Sequence, residues 1–118
     1  MDEYPLVLYY RVFQDERQSM RIDFDWDPAK AASNAAAHGV TFDEAMTVFR
    51  DPLARSLYDT DNPDDERWIT LGQASTGNLL VVVHTWADID PDRSAVRIIS
   101  ARPPTRSEAR QYREDPLP

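Results

Sequence analysis

The stretch between residues 67 and 102 most constrains the fold, because it consists of consecutive runs with the pattern of β-strands. Residues 79–86 are apolar at positions that face both ways, which is typical of a central strand. The last run, residues 95–102, combines apolar side chains with Arg97 and Arg102. The apolar groups must be buried, whereas the guanidinium groups must reach solvent or an anion. The stretch therefore predicts a core sheet that also carries an anion site.

A first helix is predicted just before this stretch. Residues 21–26 alternate polar and apolar side chains with the period of a half-buried strand. Asp27 and Pro28 follow, and they indicate a helix start, since aspartate caps free backbone amides and proline suits the first helical turn. Gly39 is the expected left-handed terminator, so the helix should end at about His38.

A second helix is predicted from a capping box. In it the Thr41 hydroxyl caps an amide, and the Glu44 carboxylate reaches back to the backbone of Thr41. Strands are predicted at residues 53–58, 67–74, 79–86 and 95–102, and an acidic turn at 87–93. Thr105 opens a last helix. The predicted class is α+β: strand, helix, helix, then an antiparallel sheet of three to four strands and a C-terminal helix.

Residues 1–19 differ from the rest of the chain. They comprise an aromatic, β-prone run followed by a polar run, and they lack the pattern of a secretory signal. A cleanly patterned domain begins at Met20. We therefore predict two parts: an N-terminal extension over residues 1–19, encoded upstream of a natural start at Met20, and a domain over residues 20–118.

Composition excludes several kinds of site. The chain has no cysteine, three glycines and two distant histidines, which argues against zinc sites and phosphate-binding loops. Its acidic loops lack calcium-ligand spacing. We expect neither a metal nor a cofactor. The longest apolar run, residues 79–83, falls far short of the roughly 20 residues that span a bilayer. A soluble, cytoplasmic protein without membrane association is therefore expected.

The charge distribution is uneven. The net charge of -8 argues against indiscriminate nucleic-acid binding. Residues 59–66 are rich in acids, whereas residues 97–113 contain five arginines and one acid, Glu108. A basic face on an acidic molecule suits a restricted polyanion site. Taken alone, this charge distribution is explained equally well by an ordinary solvated surface without a binding site.

Candidate site residues are cations with two possible proton carriers. Cleavage of RNA needs a base for the 2′-hydroxyl, cations for the phosphate and an acid for the leaving oxygen. The cations are Lys30, Arg67, Arg97 and Arg102, and the proton carriers are His38 and Glu44.

Each assignment has a structural alternative. Lys30, Asn34 and His38 recur every four residues and are predicted on one side of the first helix, where a solvated face is a commoner explanation than a functional ridge. Glu44 already has a capping role. Arg97 and Arg102 are five residues apart, so a regular strand would direct them to opposite faces unless it bends near Ser100. We leave the mid-strand His84 out of the site as a core or edge histidine.

Several sequence blocks occur in order over residues 21–113. They include Phe24-x-Trp26-Asp27-Pro28-x-Lys30, His38-Gly39-Val40-Thr41-Phe42-x-Glu44-Ala45, Leu80-Val81-Val82-Val83-His84-Thr85, Arg97-Ile98-Ile99-Ser100-Ala101-Arg102 and Glu108-x-x-x-Tyr112. Together these blocks resemble the BrnT family. The chain departs from the family pattern at Pro103-Pro104, which replaces the usual basic and small residues after the last strand.

The resemblance implies a type II toxin with a RelE-like fold: a metal-independent endoribonuclease that cleaves RNA and blocks translation. It also implies a hetero-oligomer with a BrnA-like antitoxin carrying a ribbon-helix-helix domain, through which the complex contacts operator DNA and represses its own operon. By position, the matching polar residues are Lys30, His38, Glu44, Arg67, Arg97 and Arg102, and we predict that they are catalytic. We also predict that RNA is bound by Arg106, Arg110 and Tyr112.

Two alternatives remain open. The chain could be a non-catalytic module that binds a ribbon-helix-helix partner and acts as a co-repressor, its arginines serving that interface. It could also be a folded domain that has lost activity. Expression without the partner separates these readings from the toxin, because only an active toxin halts growth.

Overall fold

The computed structural model describes residues 8–15 and 18–114, and the side chains of residues 21–113. In chain order its elements are β1 Leu8–Asp15, β2 Gln18–Asp25, α1 Pro28–His38, α2 Phe42–Met46, β3 Arg55–Tyr58, β4 Trp68–Gln73, β5 Leu79–His84, β6 Ala87–Asp90, β7 Arg93–Arg102 and α3 Arg106–Glu114. Short 3-10 helices lie at Thr47–Arg50 and Pro63–Asp65. No helix of this described part is long and apolar enough to cross a membrane.

The sheet is mixed, which differs from the antiparallel sheet that we predicted. Its described strands run in the order β1-β2-β7-β5-β4-β3, and β6 pairs with β7. β2 runs parallel to β7, whereas the other pairs are antiparallel. In the described part of the chain, five strands rather than three to four follow α1 and α2, because the predicted acidic turn at residues 87–93 contains β6. The α+β class itself is confirmed.

The N-terminal strands form a hairpin at one edge of the sheet. β1 pairs with β2 from Leu8 opposite Phe24 to Asp15 opposite Gln18. The predicted boundary at Met20 therefore falls inside β2. Residues 1–7 lie outside the described residues, and the assignment of residues 1–19 to an upstream extension stays a prediction.

The first helix begins and ends at the residues predicted from the sequence. Asp27 Oδ1 accepts a hydrogen bond from the Ala29 amide at 2.9 Å, and Pro28 is the first helical residue. Gly39 adopts φ 69°, a left-handed conformation that costs glycine little. The helix therefore ends at His38.

The capping box of the second helix is only half formed. Thr41 Oγ1 accepts a hydrogen bond from the Glu44 amide at 3.1 Å, as predicted. The Glu44 carboxylate, however, accepts from Thr76 Oγ1 at 2.5 Å and from Asn78 Nδ2 at 2.9 Å in the β4–β5 turn. The prediction that it returns to Thr41 was wrong, since a carboxylate beside two side-chain donors has better partners than a helix amide. Glu44 thus ties α2 to the sheet.

The core lies between the two N-terminal helices and one face of the sheet. Phe24 and Trp26 stack edge-on or tilted against Phe49 and Phe42, at centroid distances of 5.3 and 5.9 Å. The buried apolar cluster comprises Ile22, Phe24, Trp26, Val40, Phe42, Ala45, Val48, Ala74, Leu80, Val82, Val96, Ile98 and Ala101.

Asn34 joins the helices to β7. Its side chain is buried, and its Nδ2 donates to the carbonyls of Val40 and Ala101 at 3.0 and 2.8 Å. Its Oδ1 accepts from the Ala101 amide at 3.0 Å. The side-chain amide of Asn34 therefore provides hydrogen-bond partners for backbone atoms in the loop after α1 and in β7. Without these partners the buried polar groups would destabilise the fold.

Replacing Asn34 by alanine should destabilise the protein by about 2–4 kcal/mol, because three buried backbone groups lose their partner. Urea denaturation measures the free energy of unfolding. Ser33→Ala, an exposed change on the same helix, should shift it by no more than about 0.5 kcal/mol. Equal stabilities for the two variants would contradict the role assigned to Asn34.

Candidate active site

Three of the predicted cations line one cleft. It has a volume of about 190 Å³, and its charged lining residues are Lys30, Arg67, Arg97, Asp27 and Asp65. Thr85, Ile98 and Ile99 complete the wall. Three cations around one small opening can hold a phosphate, since guanidinium and ammonium groups form charge-assisted hydrogen bonds with its oxygens.

The backbone holds Arg97 at a fixed position on β7. Its amide donates to Thr85 Oγ1 at 3.0 Å, and its carbonyl accepts from the Thr85 amide at 3.0 Å. Its guanidinium Nε lies 3.6 Å from Asp25 Oδ1, and its side chain is 48% exposed. The residue is thus anchored at the strand, while its charged end stays accessible to an incoming anion.

The residue directly before Arg67 has a left-handed backbone conformation. Glu66 has φ 51°, and it is the one non-glycine residue in the described part of the chain with positive φ. The Arg67 carbonyl then accepts from the Asp59 amide at 2.8 Å, which closes the base of the acidic loop. This closure brings Asp65 into the same cleft as Arg67. Sequence reasoning missed Asp65, although its position two residues before a candidate arginine was a usable signal.

Lys30 enters the cleft from the start of α1. It lies in the first helical turn, next to Asp27, whose carboxylate caps the helix. Sequence reasoning gave Asp27 only this capping role, but the residue also lines the cleft.

The two predicted proton carriers lie elsewhere. His38 and Glu44 line a separate cleft of about 400 Å³ with Arg113, Pro103 and Pro104. The predicted site residues are thus divided between two clefts, and a catalytic role for His38 and Glu44 stays a prediction. A helical period of four places Lys30 and His38 on one side of α1, but eight residues also separate them by about 12 Å along its axis.

A β-bulge puts Arg97 and Arg102 on the same face of β7. Val83 pairs with Ser100 and His84 with Ile98, so Ile99 is an extra residue. The buried positions accordingly shift from Ser94, Val96 and Ile98 to Ala101. The sequence predicts that Arg97 and Arg102 share a face only if the strand bends near Ser100. The bulge just before Ser100 provides that irregularity.

Arg102 nevertheless does not line the cation cleft. Its two terminal nitrogens donate to the two carboxylate oxygens of Glu108, both at 2.9 Å, and Nη1 also donates to the Pro103 carbonyl. Hydrogen bonds from Arg102 lower the pKa of Glu108 to about 2, and Glu108 raises the pKa of Arg102. The predicted catalytic arginine thus holds the start of α3 against β7.

The predicted RNA-binding residues lie on α3. Arg106 and Arg110 are exposed. Tyr112 is half-buried, and its hydroxyl donates to Asp51 Oδ2, which also accepts from the Gln73 amide at 2.8 Å. Burial, reinforced by this contact with Asp51, raises the pKa of Tyr112 to about 12. Tyr112 thus connects α3 to Asp51, the residue that follows the 3-10 helix Thr47–Arg50.

His84 is buried in the core, as expected for a histidine outside the site. Its Nε2 lies 2.6 Å from Thr70 Oγ1, and its Nδ1 lies 2.8 Å from the Thr85 carbonyl. Burial lowers its pKa to about 4, so the ring is neutral at pH 7. Within residues 21–113, no group of three metal-ligating side chains is placed to hold a metal ion.

Comparisons with known proteins give one family and one fold. The family model of the ribonuclease toxin BrnT, of type II toxin-antitoxin systems, matches residues 26–108. The 1.1 Å crystal structure of the Brucella abortus ribonuclease toxin BrnT is similar, with a TM-score of 0.50 and 19% sequence identity. The match covers 69% of this chain and 94% of that one, and at this identity it shows the fold alone. No curated protein sequence matches the chain.

The Arg102–Glu108 pair should make stability depend on pH. The folded pKa of Glu108 lies below its ordinary value, so the stabilisation is present above pH 4.5 and is lost as the pH falls to about 2. Because the pair is partly exposed, its loss in Glu108→Gln should cost no more than about 1 kcal/mol at pH 7. Urea denaturation between pH 7 and pH 2 measures this difference.

The variants Arg102→Gln and Glu108→Gln/Arg102→Gln complete a double-mutant cycle that isolates the coupling between the two side chains. The coupling energy should disappear at the acid end of the range. A coupling energy that stays constant with pH would contradict the assignment.

Proposed function

The chain belongs to the BrnT family of ribonuclease toxins of type II toxin-antitoxin systems, and we propose that it is itself a metal-independent endoribonuclease. This family membership implies an antitoxin partner. The observation that carries the enzymatic proposal is the cleft in which Lys30, Arg67 and Arg97 converge around a space large enough for a phosphate. We propose that RNA cleavage there stops translation.

In the proposed reaction the cations bind the phosphodiester that is cleaved. Arg67 and Arg97 contact its non-bridging oxygens and stabilise the negative charge that grows in the transition state. The 2′-oxygen attacks phosphorus as a base removes its proton, and the bond to the 5′-oxygen breaks. The ammonium group of Lys30 donates a proton to that leaving oxygen. The products are a 2′,3′-cyclic phosphate and a 5′-hydroxyl.

We assign the role of base to Asp65 rather than to His38 or Glu44. Asp65 is exposed and lines the same cleft as the three cations. His38 and Glu44 line the other cleft, and Glu44 is already held by Thr76 and Asn78. Asp27 also lines the cation cleft, but one of its oxygens caps α1. Asp65 is therefore the carboxylate with more freedom to reach a 2′-hydroxyl.

The partner is proposed to be a BrnA-like antitoxin with a ribbon-helix-helix domain. The antitoxin supplies the contacts to operator DNA, and the hetero-oligomer represses its own operon. The net charge of -8 supports this division, because an acidic toxin gains little from direct contact with DNA phosphates.

Expression of the full chain without its antitoxin should halt growth and create new RNA 5′ ends. Arg67→Ala/Arg97→Ala should lower the cleavage rate about 10²–10³-fold or more, because two phosphate contacts are lost. Primer extension on a reporter messenger RNA measures the ends. Arg50→Ala, an exposed arginine outside the cleft, is the matched control and should remain toxic.

If the wild-type chain is produced folded and growth and RNA stay intact, the ribonuclease proposal fails. The co-repressor reading is then tested by operator binding of the antitoxin with and without the chain.

Asp65→Asn should lower the cleavage rate of purified protein about 10²-fold or more, since a general base contributes that much. His38→Ala should change the rate by less than about threefold, because a group some 12 Å from Lys30 along α1 does not reach the same phosphate. Cleavage of a short RNA under single-turnover conditions gives both rates. A large loss in His38→Ala with an active Asp65→Asn would reverse the assignment.

A further inference from the structure

One edge of the sheet carries an exposed leucine. β3 is the terminal strand on one side of the sheet, and among the described residues it pairs with β4. Leu57 in this strand is 72% exposed, although it sits opposite Ile69 of β4. Leu53, just before the strand, is 52% exposed. Natural sheets usually shield an edge with charges, proline or a covering segment, so this edge is suited to receive another strand.

The register of β3 defines which backbone groups point outward. Asp59 donates its amide to the Arg67 carbonyl, so Asp59 and the alternate residues Leu57 and Arg55 direct their backbone groups toward β4. Ser56 and Tyr58 are therefore the residues whose amides and carbonyls face away from the sheet. Their side chains turn toward the neighbouring strand, where Ser56 Oγ lies 2.7 Å from Thr70 Oγ1 and Tyr58 stacks on Trp68.

An acidic loop continues directly from this edge. Residues 59–66 include five acids, and the 3-10 helix Pro63–Asp65 lies within them. The Tyr58 hydroxyl donates to the Pro63 carbonyl at 3.3 Å, which holds the loop beside the strand. The edge and the loop thus form one surface, apolar at Leu57 and negative beyond Tyr58.

We propose that the antitoxin adds an extended segment to β3, with an apolar side chain against Leu57 and Lys or Arg side chains against residues 59–66. The proposal rests on the proposed function in taking an antitoxin as the occupant. The negative charge of residues 59–66 favours a basic protein segment over RNA or a second copy of the chain as the occupant. Along residues 59–66 the five acids offer RNA phosphates no binding partner, and a second copy of the chain has the same net charge of -8, whereas a basic segment is attracted.

This placement also explains how binding would silence the enzyme. Asp65 of the acidic loop and Arg67 at its end both line the cation cleft. A segment that follows β3 and binds the loop therefore covers the cleft entrance. The antitoxin then blocks RNA by occupying adjacent surface, and strand addition supplies backbone hydrogen bonds that depend little on sequence.

The test uses the full chain and a BrnA-like antitoxin, the partner proposed above. Hydrogen exchange should show that the amides of Ser56 and Tyr58 become protected in the complex. Leu57→Lys should weaken binding about tenfold or more, because it places a charge against an apolar and basic segment. Ile89→Lys, a 49% exposed apolar position on β6, is the matched control and should bind within about twofold of wild type.

The contribution of the loop is tested with Asp61→Asn/Asp64→Asn, which leaves Asp65 in place. This variant should bind more weakly, and its affinity should depend less on salt than that of the wild type. Unchanged affinity in Leu57→Lys, or unprotected Ser56 and Tyr58 amides in a formed complex, would overturn the proposal. Protection of these amides in the chain alone, increasing with its concentration, would assign the edge to a second copy and would also overturn it.

RNA cleavage distinguishes failure of this proposal from failure of the ribonuclease assignment. Leu57→Lys should cleave RNA as fast as the wild type when alone and should resist inhibition by the antitoxin. Antitoxin binding that depends on Leu57 without any RNA cleavage would remove the enzymatic proposal and support the interface.

Discussion

The hydrogen bonds of Asn34 to the backbone of Ala101 are the interaction on which the arrangement of the domain depends. They attach α1 to the strand that pairs with β2, β5 and β6. Because an amide side chain both donates and accepts hydrogen bonds, it fixes the position of α1 along β7 as well as the distance between α1 and β7. Lys30 at one end of α1 and Arg97 on β7 thereby reach the same cleft. The cleft is a consequence of how a helix docks on a strand.

The positive charges of the molecule have two different roles. Arg97 keeps an exposed guanidinium beside Asp25, whereas both oxygens of Glu108 bind Arg102. An arginine that donates two hydrogen bonds of 2.9 Å to one carboxylate gives up more in binding a phosphate than Arg97, whose Nε lies 3.6 Å from Asp25, and this cost lowers its value as a catalytic group. Sequence position alone does not separate such arginines. The separation depends on α3, which returns to the sheet after a proline pair and supplies the competing carboxylate.

Local signals in the sequence predicted much of the fold, and non-local pairings account for the differences. The cap at Asp27, the terminator at Gly39 and the burial of Ile22, Phe24 and Trp26 follow from neighbouring residues, so they could be predicted. The parallel pairing of β2 with β7 joins segments about 70 residues apart, and no local pattern encodes it. For the site, helical periodicity predicted a side of α1, but it gave no distance along the axis. His38 was therefore grouped with Lys30 although it lies at the other end of the helix.

The extra residue at Ile99 decides which side chains of β7 are inside after Ile98. If all residues from Ile98 to Arg102 were kept and alternated regularly, Ala101 would turn outward and Arg102 toward the core. The guanidinium would lose Glu108 and enter an apolar interior, while the backbone atoms that Asn34 holds would move out of reach. Deletion of Ile99 would remove the bulge and still leave Ala101 inward, because Ser100 would then follow Ile98 directly. Changes that make this segment a regular strand without shortening it are therefore the ones that the fold tolerates least.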